Sequence, residues 1–149
     1  VVEGPAGEFP GLRRPGPGGG DRGRQRPPYR PAAMDVEFRD VLALLDGRKV
    51  KPGLRCIITT SRFVMGYIED KGWAEDLRRA GVEVIGDICS YYAPGINPMK
   101  GRVMTNAAKW AYYAPGMLPV EVCFGSLREC MESAVRGEVW RDPQLWSAL

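Results

Sequence analysis

Four short runs rich in β-branched and apolar residues, set between segments of helical period, constrain this chain more than any other feature. They are Leu54–Thr60 (LRCIITT), Val82–Ile88 (VEVIGDI), Arg102–Thr105 and Val120–Phe124. Asp35 stands where it can cap a first helix, with Val36, Phe38, Val41, Leu42, Leu44 and Leu45 as apolar positions and Gly47 at the end. Ser61 can cap a second, carrying Phe63, Val64, Tyr67 and Ile68. Trp73 and Leu77 follow Gly72 in a third that Gly81 closes. Asn106–Tyr113 reads as a fourth helix that stops before Pro115-Gly116. Ser126 can cap a fifth, with Leu127, Cys130, Met131, Ala134 and Val135 on one face and Gly137 at its end. Strands joined through helices need crossover connections. The expected class is α/β: a mostly parallel sheet of about four strands with helices on both faces.

This pattern occupies residues 34–149 only. Residues 1–33 hold eight glycines, seven prolines and six arginines against three acids, with almost no large aliphatic residues. Such a composition does not bury enough surface to offset chain entropy, so a disordered Gly/Pro/Arg-rich tail is expected. Met34 opens the periodic region, which makes a translated leader one reading of the tail. Its removal is then expected to leave the melting temperature unchanged. The tail carries the whole net charge of +3, so the remaining domain is neutral and no nucleic-acid partner is expected. No apolar stretch approaches the roughly 20 residues that cross a bilayer, so no membrane partner is expected either.

The chain contains no histidine. That excludes an imidazole base, a Ser-His-Asp or Cys-His nucleophile and any zinc site with a histidine ligand. No G-x-G-x-x-G or phosphate-binding loop follows a strand, which argues against a nucleotide fold. Polar residues gather instead at the strand ends: Thr59-Thr60-Ser61, Asp87-Ile88-Cys89-Ser90, Thr105-Asn106 with Lys109, and Gly125-Ser126. In a parallel sheet these ends share one edge, where helix N-termini favour an anionic ligand. Ser61, Asn106 and Ser126 are equally readable as plain helix caps. Cys56, Cys123 and Cys130 fall on strands or an apolar helix face and read as small hydrophobes, whereas Cys89 ends a strand and opens a Pro/Gly loop. Free thiols without an export signal lead to the expectation of a cytoplasmic setting.

Four stretches in order resemble the catalytic large subunit of the aconitase X family, a branch of the aconitase superfamily. They are GRKVKPGLRCIITTSR, AGVEVIGDICSYYAPG, RVMTNAAKWAYYAPGML and VEVCFGSLRECMESAVRGE. The Asp-x-Cys, Thr-Asn-x-x-Lys and Phe-Gly-Ser-Leu-x-x-Cys pieces are the specific ones, and the resemblance spans about Asp35–Glu138. It implies a hydro-lyase that uses an iron–sulfur cluster to dehydrate a small hydroxy acid such as cis-3-hydroxy-L-proline or mevalonate 5-phosphate. By the same resemblance Cys89 matches a cluster ligand. Thr60, Ser61, Thr105, Asn106 and Lys109 match the polar lining of the substrate cleft, with Lys109 facing a carboxylate or phosphate.

The match is incomplete. The family's large subunit is much longer, and its Gly-Cys-Pro-His motif and remaining cluster cysteines are not in this chain. Thr-Asn-Ser-x-Lys appears as Thr105-Asn106-Ala107-Ala108-Lys109, and Ala-His-Tyr as Ala111-Tyr112-Tyr113. The chain is therefore expected to be inert alone, and to work with a chain supplying the missing portion and with the family's small swivelling subunit. The alternative is a non-catalytic α/β module or gene fragment. Trp73, Trp110, Trp140 and Trp146 are the aromatic candidates for contacts with a partner.

Overall fold

The alternation of helical and β-branched segments gives the expected succession of elements in a computed structural model, which describes residues 2–4, 33–89 and 99–146. In chain order they are strand β1 (Val2–Gly4), helix α1 (Ala33–Leu45), strand β2 (Arg55–Thr60), helices α2 (Arg62–Asp70) and α3 (Trp73–Arg79), and strands β3 (Val82–Gly86) and β4 (Gly101–Thr105). Helix α4 (Ala108–Met117), strand β5 (Val120–Phe124), helix α5 (Leu127–Arg136) and the single turn α6 (Pro143–Trp146) complete them.

β2 pairs in parallel with β3, from Cys56 opposite Val82 to Thr60 opposite Gly86. β4 pairs in parallel with β5, from Gly101 opposite Val120 to Thr105 opposite Phe124. β1 lies between the two pairs and antiparallel to both, with Val2 opposite Cys56 on one side and Met104 on the other. The strand order is β3-β2-β1-β4-β5. Because β2 and β4 both oppose β1, they run the same way, and all four longer strands end at one edge.

The α/β class is as expected, with four strands in two parallel pairs from the periodic region. Val2–Gly4, assigned above to the tail, is instead hydrogen-bonded into the sheet. Two strand edges that face each other across a gap leave donors and acceptors seeking partners, and a short extended segment satisfies them. Removing residues 1–33 would remove this strand, so a fall in melting temperature is the result to expect from that deletion. Residues 5–32, the rest of that tail, and the loop 90–98 lie outside the described residues.

Several boundaries differ from the sequence pattern: β2 and β4 start one residue from the expected position and α4 two residues later, at Ala108. α1 starts at Ala33, so Asp35 lies inside the helix and not at its cap. β3 ends at Gly86 because Asp87 turns to φ 54°, two residues short of the expected end at Ile88. α4 runs through Pro115-Gly116 to Met117. Pro115 falls in the last turn, where its ring removes one bond to the carbonyl of Ala111, and the buried Trp110 and Ala114 hold the helix against the sheet.

The two faces of the sheet carry separate cores. On one, Phe38, Val41 and Leu45 of α1 pack with Val64, Ile68, Leu77, Cys130 and Met131 over Cys56, Val82, Met104 and Cys123. On the other, Trp110 and Ala114 of α4 pack with Met99 over Ile57, Val103 and Val120. Burial of each such large side chain is worth roughly 1.5–3 kcal/mol. Trp110 is thus a core residue and not a partner contact, while Phe63 and Tyr112, 83% and 79% exposed, are the most outward of the described aromatics. Among the described residues no helix is long and apolar enough to cross a membrane.

Candidate functional site

Each strand-to-helix corner on the common edge is built differently. At the end of β2, Ser61 adopts an extended conformation and its hydroxyl oxygen accepts from the backbone N–H of Val64 at 3.3 Å. A serine used in this way keeps its own O–H to donate elsewhere. Asp87, just past β3, braces the same corner. Its Oδ1 accepts from Arg62 N at 2.8 Å and its Oδ2 from Arg62 Nε at 2.9 Å. Its own N–H donates to Thr60 O at 2.8 Å. The aspartate of the Asp-x-Cys motif thus ties the end of β3 to the start of α2, and Cys89, two residues on, is exposed.

At the end of β4 the arrangement is looser. Thr105 is fully buried; its hydroxyl oxygen accepts from Ala107 N at 3.1 Å, and its carbonyl accepts from Gly125 N at 3.0 Å. Ala107, not Asn106, is the N-cap of α4, and no side chain caps that helix. Asn106 and Lys109 are exposed beside it. At the end of β5, Ser126 and Glu129 form a reciprocal capping box, with Ser126 N to Glu129 Oε2 at 2.8 Å and Glu129 N to Ser126 Oγ at 3.2 Å. Glu129 is fully buried and its Oε1 also accepts from Asp142 N at 3.0 Å. The Ser-x-x-Glu spacing was visible in sequence. That a segment 13 residues later would return to bury this carboxyl was not.

A cavity of about 480 Å³ opens between the ends of β2 and β4. Its lining includes Thr60, Ser61, Thr105 and Asn106, four of the five residues expected to bind substrate. Lys109, the fifth, lies in the first turn of α4 outside that lining, and Cys89, three residues past β3, is also outside it. The volume suits a small molecule. Hydroxyl and carboxamide groups at the rim stand next to the N-terminus of α4, while the one charged residue of the lining is Glu37 on α1, and together they make it a place for a small polar molecule.

The thiols divide sharply. Cys56, Cys123 and Cys130 are buried, and desolvation raises the pKa of each, that of Cys130 to about 12. Burial keeps them protonated, and a protonated thiol is neither nucleophile nor metal ligand. Among the described residues no group of three or more Cys, His, Asp or Glu side chains could hold a metal ion. An iron–sulfur cluster takes several thiolates. The described residues therefore do not fit a cluster by themselves; they offer one exposed thiol, Cys89.

Residues 30–136 match the family described as the aconitase X third domain. Over 103 residues, 68% of this chain, the sequence is 37% identical to a cis-3-hydroxy-L-proline dehydratase of Pseudomonas aeruginosa. Over 104 residues, also 68% of the chain, it is 36% identical to the protein of the same name from Hypocrea jecorina. The matched segments amount to 18% and 17% of those two proteins, so the chain spans under a fifth of their length.

Proposed function

The chain belongs to the aconitase X family, and from that premise we propose that it forms one wall of the active site of a hydro-lyase acting on a small hydroxy acid. The names of the two relatives favour cis-3-hydroxy-L-proline as substrate over mevalonate 5-phosphate. The observation that carries the reading is the cavity at the common carboxyl edge, where Thr60, Ser61, Thr105 and Asn106 meet. Beyond the ends of the strands is where ligands of open α/β sheets bind.

In this reading the O–H groups of Thr60 and Ser61 and the amide of Asn106 donate hydrogen bonds to the substrate's carboxylate or hydroxyl. Thr105 holds the turn that presents Asn106. The ammonium of Lys109 and the N-terminus of α4 bias the rim toward an anion. Cys89 is one ligand of an iron–sulfur cluster whose other ligands come from a chain supplying the missing large-subunit portion. The small swivelling subunit completes the assembly, and the chain alone is inert.

The test is anaerobic reconstitution with iron and sulfide of this chain, alone and with the missing portion and small subunit of the Pseudomonas aeruginosa relative. Visible absorbance reads the cluster and loss of cis-3-hydroxy-L-proline reads turnover. Both are expected only in the full mixture, with the absorbance lost in Cys89→Ser and KM raised in Asn106→Ala. A full cluster in Cys89→Ser removes the assigned ligand. No cluster in any mixture leaves a non-catalytic α/β module, the reading favoured by the presence of a single exposed thiol among the described residues.

A further inference from the structure

The same cavity also bears on how the centre of the sheet is filled. β1 fills the gap between β2 and β4 with three residues only, opposite Arg55–Cys56 on one side and Arg102–Met104 on the other. The cavity begins where that pairing stops: its lining takes in Ile57, Ile58, Thr59 and Thr60 of β2 and Thr105 of β4. Neighbouring residues of a strand point to opposite faces, and Ile57 and Ile58 belong to the two different cores. The cavity is lined by both, and also by Glu37, Phe38 and Val41 of α1, Val64 of α2 and Leu127 of α5, so it is a slot between β2 and β4 that opens toward the α1 face.

The connections around the slot indicate the direction of the strand it is shaped for. β2 reaches β3 through α2 and α3 on one face, and β4 reaches β5 through α4 on the other. Moving outward from the centre in opposite directions, two right-handed crossovers must lie on opposite faces, as these do. α1 leads into β2 and packs on the face of α2 and α3. That is the face a right-handed crossover needs if the strand before α1 sits in the slot, parallel to β2. The strand order then becomes that of a doubly wound nucleus, with the cavity at the point where the winding reverses. β1 runs the opposite way, and the Gly/Pro-rich sequence leading into α1 has no run with the composition of a central strand.

We propose that the slot between β2 and β4 is a strand-acceptor site. It takes an apolar segment of about five or six residues, parallel to β2 and β4, from a part of the family protein outside residues 1–149, and Val2–Gly4 yields its place. Apolar side chains on both faces suit a strand covered by helices above and below. The source is the portion of the family protein that this chain does not span, more than four fifths of the relatives' length. This rests on the reading that such a portion completes the site. The incoming strand would take the inner part of the same cavity, beside Ile57 and Ile58, and leave its rim at Thr60, Ser61 and Asn106 to the substrate.

The experiment uses the full chain and a peptide of about 15 residues, enough for one strand and its flanks, taken from immediately before the matched segment of the Pseudomonas aeruginosa relative. A scrambled peptide is the control. The expected result is saturable binding, with amide exchange in Ile57–Thr60 and Thr105 slowed about tenfold or more, and affinity about tenfold higher for Glu3→Pro, which weakens β1. If Glu3→Pro loses its fold by circular dichroism, a chain lacking residues 1–4, refolded with the peptide present, serves in its place. No binding to either protein, binding that leaves β2 and β4 exchange unchanged, or the same protection from a second copy of this chain overturns the proposal. None of these readouts uses catalysis, so an inactive assembly bears on the dehydratase reading alone.

Discussion

The corners that follow β4 and β5 have the same length and lie side by side, yet they are opposite in chemistry. Both strands pass into a helix through two residues, Asn106-Ala107 in one case and Gly125-Ser126 in the other. After β5 every group is committed. Ser126 and Glu129 cap each other, Arg141 Nη1 donates to Phe124 O at 2.8 Å, and Glu129 takes a further bond from Asp142 N. After β4 a small apolar residue stands at the cap, no side chain closes the helix, and Asn106 is turned outward. Binding is proposed where the fold has left a corner open. The Ser126 corner, equally polar in sequence, is consumed by its own architecture.

The largest effect expected from breaking this contrast is at Glu129. Glu129→Ala strands the buried amides of Ser126 and Asp142 together with Arg141, and should cost about 3 kcal/mol in urea unfolding. Gly125→Ala comes next. A Cβ there would stand 2.5 Å from Met104 Cε and 3.1 Å from Glu129 Oε2; the flexible methionine end can give way, so a cost of about 1 kcal/mol is expected. The α5 core also sets the alkaline limit. The Cys130 thiol, raised to about 12 from a reference of 9.0, ionises first in the unfolded chain, so its contribution is intact below pH 9 and is lost as pH rises toward 12. Cys130→Ala should flatten that limb of the stability profile.

The open corner should respond in the opposite sense. Ala107→Asp supplies the missing cap and should stabilise the chain by about 0.5–1 kcal/mol in the same unfolding assay. In the reconstituted enzyme it should also raise KM by placing a carboxylate where an anion is proposed to bind. A loss of stability would show that α4 is already satisfied. The smallest effect is at Asn106→Ala, where a change within about 0.5 kcal/mol is expected because the side chain is exposed. A large loss there would erase the distinction between the corners.

Most of the fold was legible because it is written in local chemistry. β5 and α5 have the boundaries expected from their residues, since the apolar run, the Ser126 cap and Gly137 at φ 81° are signals of one or two turns' reach. The failures have non-local causes. α4 passes Pro115 because packing of Trp110 and Ala114 outweighs one lost backbone bond. Asp87 stops β3 early because its carboxyl group finds Arg62, 25 residues back in sequence. Of the candidate site, the residue types at the strand ends could be read. That Thr60, Ser61, Thr105 and Asn106 share one cavity while Lys109 and Cys89 stand outside it could not, because it depends on how two strand pairs face each other.

By itself, then, the sequence determined the α/β class, the absence of imidazole chemistry, the family and the set of polar residues at the strand ends. Propensity, period and composition act over a few residues and need no partner. Only the tertiary structure decided which corner is sealed and which strand ends share a cavity. Those are questions of which distant groups arrive to satisfy a buried hydrogen bond or pair a strand edge, and a linear chain does not contain the distances that answer them.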